Sequence, residues 1–143
     1  MNMKIRTERR IADAVFLLYL LVLLRITVFR HGFSMAHLME NGTINLTLFE
    51  DYIPLILQQR WFRFAYLFVG NIVWFVPLGF YLRAVKRVDR IWKAALCGFV
   101  LSLIIESLQY VFGTGISELD DLILNTFGAW TGAVAAAVWR RGG

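Results

Sequence analysis

Between residues 106 and 128 the chain reads ESLQYVFGTGISELDDLILNTFG, and acids and amides stand out from a greasy background. Glu106, Asp120 and Asp121 are acids; Gln109 and Asn125 are amides. Two carboxylates held close together repel, so one keeps its proton to higher pH; such a pair can serve as general acid and base. Amides beside them can orient a hydroxyl or a phosphate. This chemistry makes Glu106 and Asp121 the candidate acid/base pair. Arg25, Asn71, Gln109, Asp120 and Asn125 are the candidate ligand-binding residues, with Arg25 suited to an anionic head group.

The spacing puts these groups on helix faces. Gly98, Ser102, Glu106, Gln109 and Gly113 recur at steps of four, four, three and four; Asp121, Asn125, Gly128 and Gly132 recur at four, three and four. Both patterns are single helix faces. Gly113-Thr114-Gly115 joins them as an antiparallel hairpin, so the two small and polar stripes are expected to face each other. Gly128-x-x-x-Gly132 predicts a close helix approach. Asn71 shares a face with Arg63, Leu67, Trp74 and Leu78 and is aimed at the same interior. A structural reading competes. Asp120 and Asp121 suit the N-terminus of a helix, an Arg25–Glu106 pair could be purely structural, and intramembrane polar groups also glue helices together. Pro77 predicts a bend in its helix.

The helices that carry these faces are apolar runs near the length needed to cross about 30 Å of hydrocarbon. Four are expected, over about 11–29, 62–83, 91–112 and 119–139. The composition agrees: of 143 residues, 59% are hydrophobic, against roughly 45–50% in soluble domains. The expected fold class is all-α, a single domain over 1–143. It is read as an integral membrane four-helix bundle with a short outer amphipathic segment between the first two spans. A charge at mid-membrane costs about 2.5–3.5 kcal/mol even on the lenient insertion scale. The acids therefore belong in the bundle interior or in a pocket open to water.

The net charge of +5 does not indicate nucleic acid, because the basic residues flank the apolar runs. Eleven Lys and Arg fall in the N-terminal tail, the loop between the second and third spans, and the C-terminus. The positive-inside rule then puts both termini in the cytoplasm of a multi-pass plasma-membrane protein. A basic start followed by an apolar run also describes a signal peptide; Arg25 and the absence of a small-residue cleavage site favour an uncleaved span. One cysteine, Cys97, excludes an intrachain disulfide. His31 and His37 are six apart without a third ligand in register, so no metal and no cofactor are expected.

Two segments resemble the VanZ-like membrane proteins: NIVWFVPLGFYL at 71–82, and Glu106 with Gln109 followed by DDLILNTFGAWTG at 120–132. Asn45-Leu-Thr-Leu-Phe49, Gly70 and Arg25 fit the same pattern, so the likeness runs over roughly 25–132. The chain departs from it at Gly115-Ile116-Ser117-Glu118-Leu119. Many relatives have a basic or small polar residue just before the paired acids, and commonly Asp where Glu118 stands. The resemblance implies a bacterial cell-envelope protein associated with resistance to glycopeptide antibiotics of the teicoplanin type. The first functional expectation is binding of an envelope lipid, a lipid-linked cell-wall precursor or an amphiphilic drug such as the glycopeptide, in an outward-facing polar pocket. The alternative is a small intramembrane enzyme using Glu106 and Asp121 on a lipid-linked substrate. A proton-coupled carrier is a third, disfavoured by the lack of an internal repeat unless the chain forms a homo-oligomer.

Overall fold

A computed structural model describes residues 3–29 and 42–142. Helix α1 is Met3–Thr27, and strand β1 is Thr43–Asn45. Helices α2, Tyr52–Leu57, α3, Trp61–Ala84, and α4, Ile91–Phe112, follow. Strand β2, Ile116–Glu118, leads directly into α5, Leu119–Gly142. The second and third expected spans match α3 and α4 to within a residue at each end; α5 runs three residues past the expected 139, and α1 begins eight before the expected 11. His31 and His37 lie outside the described residues.

Three helices among the described residues, α3, α4 and α5, are long and apolar enough to cross a membrane. Large apolar residues such as Phe62, Tyr66, Val73, Leu103 and Phe127 are exposed on them. Soluble monomers seldom leave so much apolar surface bare, whereas hydrocarbon solvates it without cost. Helix α1 carries Asp13 and Arg25 within its apolar run and stands apart from that group of three. It packs on them at two places. Leu23 and Val28 are buried. Nearer its start, the Phe16 ring stacks on Tyr81 at 3.7 Å, and Asp13 accepts from Tyr81 Oη at 2.6 Å and from Lys86 Nζ at 3.1 Å.

The tightest packing is between α3 and α5, and glycine makes it. A Cβ on Gly79 would strike the Ala129 carbonyl; one on Gly128 the Ile72 carbonyl; one on Gly132 the Val76 carbonyl. The two backbones touch directly, as small residues permit in membranes. The expected pairing of Gly128 and Gly132 with α4 is therefore corrected: those glycines serve α3, and α4 instead meets α5 through Gly98 against Ala129. The physical reason is that α5 is wedged between two helices. Its small residues fill one side and Asn125 reaches the other.

Pro77 sits inside α3 without ending it. One turn earlier, the Trp74 carbonyl accepts Tyr19 Oη–H at 2.6 Å, so α1 supplies a donor to the turn that proline loosens.

Helix α4 stops at Gly113, which takes the left-handed conformation at φ 58°. The Thr114 N–H reaches back to the Gln109 carbonyl at 3.1 Å and the Gly113 N–H to Tyr110 at 3.3 Å. This is the glycine-terminated cap that satisfies the last carbonyls of a helix. Its consequence is topological: the chain turns back at once and enters β2.

Strand β2 pairs with β1 in parallel, Thr43 opposite Ile116 and Asn45 opposite Glu118. This two-stranded element was not expected from sequence. The described part of the outer connection, from residue 42, lends no support to a surface amphipathic helix. Helix α2, YIPLIL, is apolar all round: Tyr52 and Leu55 are buried while Ile53, Ile56 and Leu57 are exposed. With no polar face it lacks the contrast an interfacial helix needs. Tyr52 anchors it instead, edge-on to Phe64 and Phe68 of α3.

Candidate functional site

The polar side chains of the last three helices gather at the end of the molecule where α4 turns into α5. Glu106 is 5% exposed, Gln109 6%, Asp120 4% and Asn125 5%, so each is nearly lost to solvent and to lipid alike. Of the four side chains expected to face the interior, Glu106, Gln109 and Asn125 are buried and Asp121 is half-buried. Asn125 Nδ2 donates to Ser102 Oγ at 2.9 Å, which joins the two stripes across α4 and α5. Asn71 of α3 donates its amide to Asp121 of α5, so the third helix also enters the cluster.

Glu106 binds the chain that follows it. Its Oε2 accepts the Glu118 N–H at 3.0 Å. The Ser117 hydroxyl donates to the Glu106 backbone carbonyl at 2.6 Å. The Gln109 amide lies between the Glu106 carboxylate and the Thr27 carbonyl. Turned one way its NH2 reaches both carboxylate oxygens at 3.2 and 3.3 Å; turned the other way it donates to Thr27 at 3.4 Å. The carboxylate offers two contacts and the stronger acceptor, which favours the first orientation.

Asp120 faces the outer connection. Its Oδ2 accepts the Phe49 N–H at 2.8 Å, and Phe49 holds a left-handed φ of 58° that aims its amide there. Asp120 is therefore more than a cap for its own helix. Tyr52 brings its hydroxyl to Asn71, with Asp121, Glu118 and Asp120 around it; burial first, then those carboxylates, raise its pKa. Burial, then the neighbouring Asp121 and Asp51 carboxylates, push the Glu118 carboxyl up to about 7.

Arg25 behaves differently. It is exposed, and its guanidinium donates to the Phe29 carbonyl of its own chain end. The weighed Arg25–Glu106 pair does not form. A cation at a helix C-terminus answers the free carbonyls there, and that local reward is the simplest reason it turns outward.

Asp51, Tyr52, Ser117 and Glu118 belong to the cluster and were missed by sequence reasoning. Glu118 was visible as a departure from the family pattern; Asp51 and Tyr52 had no periodicity to place them. Some acceptor capacity in the cluster is unspent. Among the described residues, Asp120 Oδ1, Asn125 Oδ1 and Thr114 Oγ1 are buried without a hydrogen-bond partner, and native structures rarely leave such atoms idle without a role. No group of three or more His, Cys, Asp or Glu suited to a metal ion occurs among the described residues.

Apolar helices of membrane-crossing length around a buried polar cluster define a polytopic helical membrane protein. A profile of the VanZ/LLP1 family matches residues 16–140, and the chain belongs to that family. It is 34% identical over 65 residues to Protein VanZ of Enterococcus faecium; the match covers 45% of this chain and 40% of that relative. No solved structure matches the chain.

Proposed function

We propose that this chain is an envelope protein of the plasma membrane that binds an amphiphilic ligand in the polar cluster at its outer end. The ligand class is an envelope lipid, a lipid-linked wall precursor or a glycopeptide. Its four long helices form the membrane bundle, α1 included. The carrying observation is the convergence of Glu106, Asp120 and Asn125 in near-complete burial, with Asp120 Oδ1 and Asn125 Oδ1 still holding unspent acceptor capacity. Structural glue needs satisfied pairs; an acceptor-rich site with capacity in reserve suits a ligand that brings hydrogen-bond donors. The alternative enzyme reading asks Glu106 and Asp121 to work on one substrate. The bonds described here tie Glu106 to Glu118 and Asp121 to Asn71, which favours a positioning role for each. The link to glycopeptide resistance comes through the family alone.

The test is expression in a teicoplanin-susceptible strain. Wild type should raise tolerance. Glu106→Gln and Asp121→Asn should return it to the level of cells lacking the gene, with membrane insertion unchanged. Full tolerance in Glu106→Gln would remove the site from the account, whereas loss of insertion would assign these acids to structure. An envelope-lipid profile separates binder from enzyme: an enzyme deletion accumulates a substrate, and a binder deletion does not.

A further inference from the structure

Arginines from α1, α3 and α5 converge on the loop between α3 and α4, at the end of the molecule away from the polar cluster. Arg9 donates to the Val85 carbonyl at 3.3 Å, and Arg140 to the Arg83 carbonyl at 3.3 Å. Arg83 itself donates to the Val88 and Asp89 carbonyls at 2.6 and 2.9 Å. These bonds fix the guanidinium groups around one short loop without neutralising them, because each partner is an uncharged carbonyl. The acids beside the loop are engaged by lysines: Lys86 holds Asp13 at 3.1 Å and Lys93 holds Asp89 at 2.8 Å. Among the described residues no ion pair reaches Arg9, Arg83 or Arg140. Donors are left over as well. Each guanidinium carries five N–H groups, and Arg83 Nε is buried without a hydrogen-bond partner. Helix α4 starts where the loop ends and has no acid in its first turn, so its positive pole adds to the same charge. Like charges held together repel, and an anion among them turns that repulsion into attraction.

We propose that Arg9, Arg83 and Arg140 form a head-group site for an anionic phospholipid. The chemistry recognised is a phosphate, which guanidinium donors bind in planar, paired fashion. What favours a lipid over a free phosphate is the surface beside the arginines. Trp139, next to Arg140, is exposed and packs on Phe80 of α3 with ring centroids 5.9 Å apart. A groove of about 600 Å3 lined by Val138, Trp139, Arg140 and Gly142 opens there. Tryptophan marks the depth of a membrane interface, and basic pockets between helices at that depth hold phospholipid heads. A lipid fills both parts at once, its phosphate on the arginines and a chain along the groove; a free phosphate uses only the first. Bound there, the head group ties α1, through Arg9, to the helices it otherwise meets at two places. The site lies far from Glu106 and Asn125 and works in either orientation of the chain. Its failure and the failure of the binding reading are therefore separate results.

The test is native mass spectrometry of the full chain in a neutral detergent, titrated with phosphatidylglycerol or with phosphatidylcholine. Phosphatidylglycerol should bind the wild-type chain about tenfold more tightly or better. Arg9→Gln and Arg140→Gln should each weaken phosphatidylglycerol about fivefold and leave phosphatidylcholine unchanged. Both arginines are exposed, so neither change opens the core, and circular dichroism checks that the helices persist. Arg10→Gln and Arg141→Gln are the controls. They remove the same charge from the same end, one helix step of about 100° away, and affinity should stay within about twofold of wild type. Equal affinity for the two lipids overturns the site. So does a loss in the controls as large as in Arg9→Gln and Arg140→Gln, which would mean diffuse attraction. Displacement of phosphatidylglycerol by equimolar inorganic phosphate would assign the arginines to a free anion and overturn the lipid.

Discussion

Single side chains decide whether the buried cluster is structure or site. The Asn125–Ser102 bond joins α4 to α5 through the amide nitrogen and leaves Asn125 Oδ1 without a hydrogen-bond partner. Interhelical hydrogen bonds of this kind are worth about 0.6 kcal/mol on average and up to about 1.7. A double-mutant cycle with Asn125→Ala and Ser102→Ala, followed by reversible unfolding in detergent, should return a coupling in that range; zero coupling would mean the pair is incidental. The acids were legible because charge in an apolar run has few affordable positions, and the four-and-three spacing fixed their face. What the spacing did not reveal was their partners. Glu106 bonds the backbone amide of Glu118 and Asp121 bonds Asn71 from α3, and neither contact leaves a mark on the periodicity of its own helix. Arg25 shows the limit most plainly: its helix end was readable, its turn toward Phe29 was not.

Helices in this fold are placed by where glycine lets them touch. Three glycines stand at the α3–α5 crossing with a backbone carbonyl against each missing Cβ. Gly132→Val should therefore cost about 1–3 kcal/mol or more, because the neighbour is backbone and cannot yield. Gly70, one helix face away, has open space around it, and Gly70→Ala should be neutral or stabilising by up to about 1 kcal/mol through helix propensity. Steric trapping or detergent unfolding of the two variants distinguishes them; equal effects would contradict the direct backbone contact. Sequence showed that Gly128 and Gly132 sit at a close approach but not against which helix. The hairpin α4–α5 was the neighbour suggested by a short turn, and α3 won because it offers Gly79 in return. The β1–β2 pair was illegible for a related reason. Two three-residue strands, separated by more than seventy residues of sequence, have too little pattern to announce a parallel pairing.

The whole molecule has a basic end and an acidic end. Arg9 reaches the Val85 carbonyl at 3.3 Å and Arg140 the Arg83 carbonyl at 3.3 Å, so the start of α1, the α3–α4 loop and the end of α5 lie together. The polar cluster and its acids occupy the opposite end. In the orientation we propose, which follows the charge bias of short loops, the basic end is cytoplasmic and the cluster opens to the outside. This outward orientation is the claim on which the binding reading depends. Its test uses Ile116, which is half exposed in β2; neighbouring Ser117 is buried against Glu106 and would report poorly. With Cys97 replaced by serine and Ile116→Cys introduced, a membrane-impermeant thiol reagent should label intact cells as fully as it labels opened ones. Labelling that appears only after the membrane is opened, together with Arg87→Cys labelling from outside, would invert the molecule and contradict the account.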